Sequence, residues 1–238
     1  MTTAPARVSA PPRVRLRTLS LPAPGEPSPF PVPGCLDAGE LARAAGFAGP
    51  RARLRYVTAH VALREVLAEY TGTDAARLRF GRDRPGGTGG GPGGRPVLLG
   101  FPDGPHFSLS HSHDLIMIAV AAVPVGVDVQ RVPRTGTVEA LLPRLHPAEH
   151  AGLLRVPRAA RAAAFARLWT RKEAYLKGLG TGLARGLAAD CLLGGTQPAG
   201  WHVRDLAAPP GYAAATAVAY PSAPEAGPLP AIHCPGTA

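Results

Sequence analysis

Cysteine is scarce in this 238-residue chain. Cys35, Cys191 and Cys234 are widely spaced and form no Cys-x-x-Cys pair, so the sequence suggests neither a disulfide framework nor a zinc knuckle, and a reducing cytosol fits. Long apolar runs are missing as well. The first 21 residues carry arginines and prolines but nothing long enough for a signal peptide. The longest apolar run, 115–129, is cut by Pro124, Gly126 and Asp128 and is too short to cross a bilayer, so a cytoplasmic location is expected. Aromatic residues reach only 5 %, and no helix-turn-helix, zinc-finger or aromatic RNA-binding signature accompanies the arginines, which argues against a basic nucleic-acid-binding protein. Acidic residues are few: 16 Asp and Glu against 26 Lys and Arg leave +10, which disfavours cationic substrates and favours anionic ones. Lysine is nearly absent, Lys172 and Lys177 standing against 24 arginines. Codon bias in a GC-rich genome explains that ratio, but not why both lysines fall in one short stretch.

What is present is enough for one large domain or two small ones, with a core that needs no disulfide or metal staple. Residues 1–34 hold nine prolines and read as an extended arm ending in a short strand near Val14 to Leu19; residues 221–238 read as a loose tail. Helical periodicity runs from Arg51 to Tyr70, with Val57, Val61, Leu63, Val66 and Leu67 in its apolar stripe and Gly72 as a stop. The stretch 86–94 is nearly all glycine. It reads as a flexible loop, because no Gly-Lys-Ser/Thr follows as a phosphate cradle requires. The apolar run 115–123 is expected to form a hairpin with a strand at 127–132. An Ala-rich helix is expected over 157–179, closed by Gly178, Gly180 and Gly182, and two strands over 201–220 about Pro209-Pro210-Gly211. This order gives an α+β chain and permits two similar halves, bounded here as 35–123 and 124–220.

Three groups of residues could carry chemistry. In 125–130 the valines share one face of a strand, which puts Gly126, Asp128 and Gln130 together on the other. Asp128 is then either a solvent-facing edge residue or a buried carboxylate that requires a cation or hydrogen-bond donors. Trp169, Glu173 and Lys177 are spaced four apart on one helix face. Glu173 and Lys177 could be a surface ion pair; yet a lysine offers a compact ammonium that arginine's planar fork does not imitate, and chemistry at a phosphate oxygen is one such need. The third group, 108–114, reads Ser-Leu-Ser-His-Ser-His-Asp. Its hydroxyls, imidazoles and backbone N–H groups suit an anion better than a transition metal, and ordinary turn chemistry is the competing reading.

Together these residues carry a resemblance. The run from Trp169 to Leu183 resembles the W-x-x-K-E-A-x-x-K-x-x-G-x-G-L signature of the 4′-phosphopantetheinyl transferases, and 125–130 is similar to their G-x-D-x-E strand. Phe107-Ser-Leu-Ser-His-Ser and Gly94-Arg95-Pro96 match two further motifs in the same order, so the likeness covers about residues 50 to 220. The length resembles that of the monomeric Sfp-type members, which implies two similar α+β halves packed as a pseudo-dimer in one chain. The resemblance implies transfer of the 4′-phosphopantetheine arm of coenzyme A to a serine of an acyl or peptidyl carrier protein, releasing adenosine 3′,5′-bisphosphate. Polyketide or non-ribosomal peptide pathways are the suggested setting.

The resemblance further implies that Asp128 and Glu173 ligand Mg²⁺ (or Mn²⁺), with Gln130 acting through a water, and that Glu173 is the base. Lys177 would sit near the leaving oxygen and Lys172 near the pyrophosphate. Ser110 and His111 would contact coenzyme A phosphates, and Gly94, Arg95 and Pro96 would meet the adenine. The basic helix start (Arg51, Arg53, Arg55, His60 and Arg64) would supply 3′-phosphate contacts, with Arg53 and His60 the preferred pair. The chain departs from the pattern at Gln130, which stands where the family has a second strand acid. An inactive relative that binds only coenzyme A or carrier domains is the competing functional class.

Overall fold

A computed structural model describes residues 12–23, 26, 34–83 and 94–220. Most of the expected Pro-rich arm, the Gly-rich loop apart from Gly94, and the tail from 221 lie outside the described residues.

The described residues stack in four layers, helix, sheet, sheet, helix. The first half opens with β1 (Val14–Ser20) and α1 (Ala38–Ala45), followed by α2 (Pro50–Thr71). Then come the short pair β2 (Phe80–Arg82) and β3 (Pro96–Leu98), and β4 (His106–Ser112) and β5 (Leu115–Ala121). The second half holds β6 (Val125–Arg131), α3 (Thr135–Leu141), α4 (Pro147–Arg155), α5 (Arg158–Leu179), β7 (Trp201–Leu206) and β8 (Tyr212–Ala219). Each half has a three-stranded antiparallel sheet, ordered β1-β5-β4 in the first and β6-β8-β7 in the second.

Side-chain alternation explains the layers. On β5, Ile116, Ile118 and Val120 face α2 and join Ala59, Leu63, Val66 and Leu67 in one core. Leu115, Met117, Ala119 and Ala121 face the other way and meet Val125, Val127 and Val129 of β6 in a second core between the sheets. The opposite face of the second sheet, with Ala215, Ala217 and Val203, packs under Phe165, Leu168 and Tyr175 of α5 in a third. Both long helices end where a glycine takes the left-handed conformation, Gly72 (φ 70) for α2 and Gly180 (φ 74) for α5.

The hairpin expected between 115–123 and 127–132 is not formed. β5 pairs with β1 and β4, and β6 pairs with β8. The reason is burial: β5 is covered on both faces, so its continuous apolar run carries no alternation that would name its partner. The strand expected near Val14 is present and forms an edge of the first sheet, paired with β5. The expected strand pair around Pro209-Pro210-Gly211 is β7–β8. Cys35 is a free thiol, whereas the buried Cys191 is disulfide-bonded, a pairing the cysteine spacing did not suggest.

Candidate active site

The site begins with a missing side chain. A Cβ on Gly126 would lie 1.8 Å from the Ala174 carbonyl oxygen and 2.7 Å from the Gly178 nitrogen, so β6 and α5 touch backbone to backbone here. That contact brings the polar face of β6, carrying Asp128, against the face of α5 that carries Glu173 and Lys177. The alternation read from the sequence therefore holds, and Asp128 is fully buried rather than an exposed edge residue.

Asp128 uses one oxygen heavily and the other not at all. Its Oδ1 accepts from the Ser110 hydroxyl at 2.7 Å and from the Lys177 ammonium at 2.6 Å, while its buried Oδ2 has no hydrogen-bond partner. Lys177 Nζ also donates to Ser110 Oγ at 3.0 Å and to the Val127 carbonyl at 3.2 Å. Glu173 lies close by; burial pushes its carboxyl above the ordinary range, the Asp128 charge pushes it further, and Lys177 pulls it back. Two carboxylates that repel each other, one with an orphaned buried oxygen, form a donor set that a hard divalent cation would satisfy. Among the described residues no group of three His, Cys, Asp or Glu side chains forms a metal cluster, in keeping with the amide at Gln130. Gln130 follows Asp128 on the same strand face and lines a separate cavity with Ser112, His113, Arg131 and Arg134.

Beside this centre opens a cavity of about 530 Å³ walled by both halves. Lys177, Leu176 and Gly180–Gly182 come from the second half; His60, Phe80, Arg82, Gly94–Pro96 and 107–109 come from the first. The expected residues Gly94, Arg95, Pro96 and His60 thus meet Lys177 around one space. Gly94 is fixed there by its N–H to the Gly180 carbonyl (3.1 Å), and Arg95 is held by Asp83 at 2.9 Å. His60 stacks on Tyr56 with ring centroids 3.9 Å apart, and burial lowers its pKa below the usual histidine value. His111, exposed on β4, is lowered too: partial desolvation and then the positive charge of Arg55 outweigh a backbone hydrogen bond, with smaller contributions from Lys177 and His60. Arg55 and Lys177 are therefore the standing positive charges near His111, while both imidazoles are held towards the neutral form.

Several expectations need correction. Lys172 does not face Asp128. It is buried on another side of α5, where its ammonium donates to both oxygens of Glu149 (2.8 and 2.7 Å) and to the Asp190 carbonyl (2.5 Å). The physical reason is helical pitch: Lys172 and Glu173 point about 100° apart, so both cannot face one site. Neither Arg53, which is exposed, nor Arg55 lines the cavity; Arg55 donates to the His113 carbonyl at 3.2 Å and its charge reaches His111. Arg64 is fully buried, tied to Glu40, Asp37 and two backbone carbonyls and lying over the Phe80 ring at 4.9 Å. It shapes the cavity wall without reaching into it. Thr181 was not singled out from the sequence, yet it lines the cavity and its buried hydroxyl has no partner. Its one sequence signal is its place between Gly180 and Gly182.

Comparison with known proteins agrees with this geometry. A sequence profile of the 4′-phosphopantetheinyl transferase superfamily matches residues 124–217, the half that carries Asp128, Glu173 and Lys177. The chain is 32 % identical over 194 residues to the 4′-phosphopantetheinyl transferase HetI of Nostoc sp., covering 77 % of this chain and 78 % of the relative. It is 37 % identical over 97 residues to the 4′-phosphopantetheinyl transferase psf-1 of Bacillus pumilus, 40 % of each chain, and 25 % identical over 130 residues to the 4′-phosphopantetheinyl transferase Sfp of Bacillus subtilis, 55 % of this chain and 54 % of that one. An identity of that extent with HetI, joined to a buried acid and lysine on the strand and helix where the motifs require them, means that this chain belongs to the 4′-phosphopantetheinyl transferase superfamily.

Proposed function

We propose that the protein is an Sfp-type enzyme that transfers the 4′-phosphopantetheine group of coenzyme A to a serine of an acyl or peptidyl carrier protein and releases adenosine 3′,5′-bisphosphate. The observation that carries this reading is Asp128: fully buried, its Oδ2 unpartnered, its charge felt by Glu173, and its Oδ1 held by Ser110 and by Lys177, which lines a cavity that both halves wall.

Asp128 and Glu173 would hold Mg²⁺ or Mn²⁺, with Gln130 acting through a water; the ion would neutralise charge on the pyrophosphate under attack. The protein's own groups have separate tasks. Arg55 and Lys177 supply positive charge to attract the phosphates, neutral His60 and His111 can each donate one N–H to a phosphate oxygen, and 94–96 forms the wall for the base. In the transfer, the carrier serine oxygen bonds to the phosphorus that bears pantetheine, and the bond from that phosphorus to the adenosine bisphosphate oxygen breaks. The serine proton passes to Glu173, directly or through a water. The electron pair leaves on the bisphosphate oxygen, where the Lys177 ammonium offsets the developing charge.

The reading takes the protein as a cytoplasmic monomer whose partners are carrier proteins of polyketide or non-ribosomal peptide assembly, not nucleic acid or membrane. Among the described residues no helix is long and apolar enough to cross a membrane. The test is incubation with coenzyme A, Mg²⁺ and several apo carrier domains, followed by mass spectrometry. The pantetheinyl mass increment should appear on at least one carrier and vanish for Asp128→Ala and Glu173→Ala. Its absence from every carrier would leave a relative that binds but does not transfer.

A further inference from the structure

Strand β4 has serine at every second position, and Ser108, Ser110 and Ser112 all point at β6. Their hydroxyls accept hydrogen bonds from three successive odd-numbered N–H groups of that strand: Val127 at 3.1 Å, Val129 at 3.3 Å and Arg131 at 3.0 Å. A row of hydroxyls therefore stands where a neighbouring strand's carbonyls would. The middle one does more. Ser110 Oγ also accepts from Lys177 Nζ at 3.0 Å and donates its hydrogen to Asp128 Oδ1 at 2.7 Å. A hydroxyl has one donor and two acceptor sites, so all three are spent inside the protein and none is left for a phosphate.

We propose that Ser110 is a positioning residue: anchored to β6, it commits Asp128 Oδ1 and Lys177 Nζ to each other and thereby keeps Asp128 Oδ2 as the oxygen without a partner. This rests on the proposed function for its consequence in catalysis, but its geometry stands apart from that reading. Without the hydroxyl, the carboxylate can turn about its last torsion and offer either oxygen to Lys177, and the arrangement that leaves Oδ2 open is no longer the only one.

The test compares Ser110→Ala with Ser112→Ala in the full chain, because each removes one acceptor from a β6 N–H but only the first touches Asp128. Both should lower the thermal midpoint, Ser110→Ala by more because it also removes the bonds to Asp128 and Lys177. Mn²⁺ alone, titrated and followed by the electron paramagnetic resonance of the free ion, should bind Ser110→Ala about 10–100-fold more weakly than the unmodified protein, the usual effect of losing a group that orients a metal ligand. Ser112→Ala should stay within about twofold, and Ser110→Thr, which keeps the hydroxyl, should recover most of the affinity. In the transfer assay kcat of Ser110→Ala should fall about 10–100-fold, the loss expected for one hydrogen bond to a charged group, with KM for coenzyme A little changed. Equal Mn²⁺ affinities in the two alanine variants would overturn the proposal. So would a Ser110→Ala that loses coenzyme A affinity at unchanged kcat, since Ser110 would then be a ligand contact. If the unmodified protein transfers nothing to any carrier, the functional reading fails, while the difference in Mn²⁺ affinity still decides the role of Ser110.

Discussion

Lys172 is where the family resemblance and the structure disagree, and its replacement by methionine separates them. The ammonium spends its three donors on Glu149 Oε1, Glu149 Oε2 and the Asp190 carbonyl. Burial lowers the pKa of Lys172, and Glu149 pulls it back up. Glu149 is fully buried and, among the described residues, has two backbone donors besides this lysine, the N–H groups of Leu192 and His146. Lys172→Met leaves that carboxylate charged and underpaired, a defect of about 3–5 kcal/mol. For a domain of this size each kcal/mol moves the thermal midpoint by about 2–4 °C, so a fall of roughly 6–20 °C is expected. The double variant Lys172→Met with Glu149→Leu removes both charges and should regain most of the loss. Differential scanning calorimetry gives the midpoints, and isothermal titration gives coenzyme A affinity on the same samples. A Lys172→Met that melts within about 2 °C of the unmodified protein but binds coenzyme A tenfold more weakly would refute the reasoning and return Lys172 to the pyrophosphate.

Four further outcomes follow from the same geometry. In Gly126→Ala the new methyl must move from 1.8 Å to at least 3.0 Å from the Ala174 carbonyl, so α5 shifts by 1.2 Å or more; kcat should fall about 10²-fold, and activity within threefold would show that the backbone contact does not set the site. Glu173→Gln should abolish transfer and yet raise the melting midpoint at pH 8. A carboxyl whose folded pKa is raised contributes stability below the ordinary carboxylate value and loses it as pH rises through the folded pKa, so an unchanged or lower midpoint would contradict its assigned environment. Gln130→Glu restores a second strand acid and should tighten the Mg²⁺ dependence without abolishing transfer; an identical metal titration would place Gln130 outside the site. For pH, His60 and His111 have folded values below the usual 6.5, so the unfolded chain binds more protons beneath that pH and stability falls with acidification. Phosphates placed beside His111 would raise it again, so coenzyme A binding near pH 6 should take up protons. Calorimetry in buffers of different ionisation enthalpy would detect this uptake, and none would argue against His111 facing the phosphates.

The sequence made some of this arrangement legible and hid the rest for identifiable reasons. The two long helices were visible because apolar spacing and a terminal glycine are local signals, and Gly72 and Gly180 end them as read. The face shared by Gly126, Asp128 and Gln130 was likewise a matter of strand alternation. The partner of β5 was not legible, since a strand buried on both faces looks the same whichever neighbour it takes. Lys172 was misplaced because its partner Glu149 lies 23 residues away on another helix, and nothing near Lys172 announces it. The serines of β4 read as anion contacts, with turn chemistry as the alternative; their spacing of two holds the signal of a strand-facing row, but the strand they address comes from the other half of the molecule.

The two-sided cavity wall has a consequence for how such a protein can change. The two carboxylates proposed to hold the metal, Asp128 and Glu173, and Lys177 belong to the second half, whereas His60, Phe80 and 94–96 belong to the first. On the proposed reading, most of the nucleotide wall would lie on the first stretch of chain and the reacting carboxylates on the second. Drift in the first stretch can retune which coenzyme is accepted while the reacting centre stays fixed, and the strip of serine hydroxyls along the seam is where a change in one would be felt by the other.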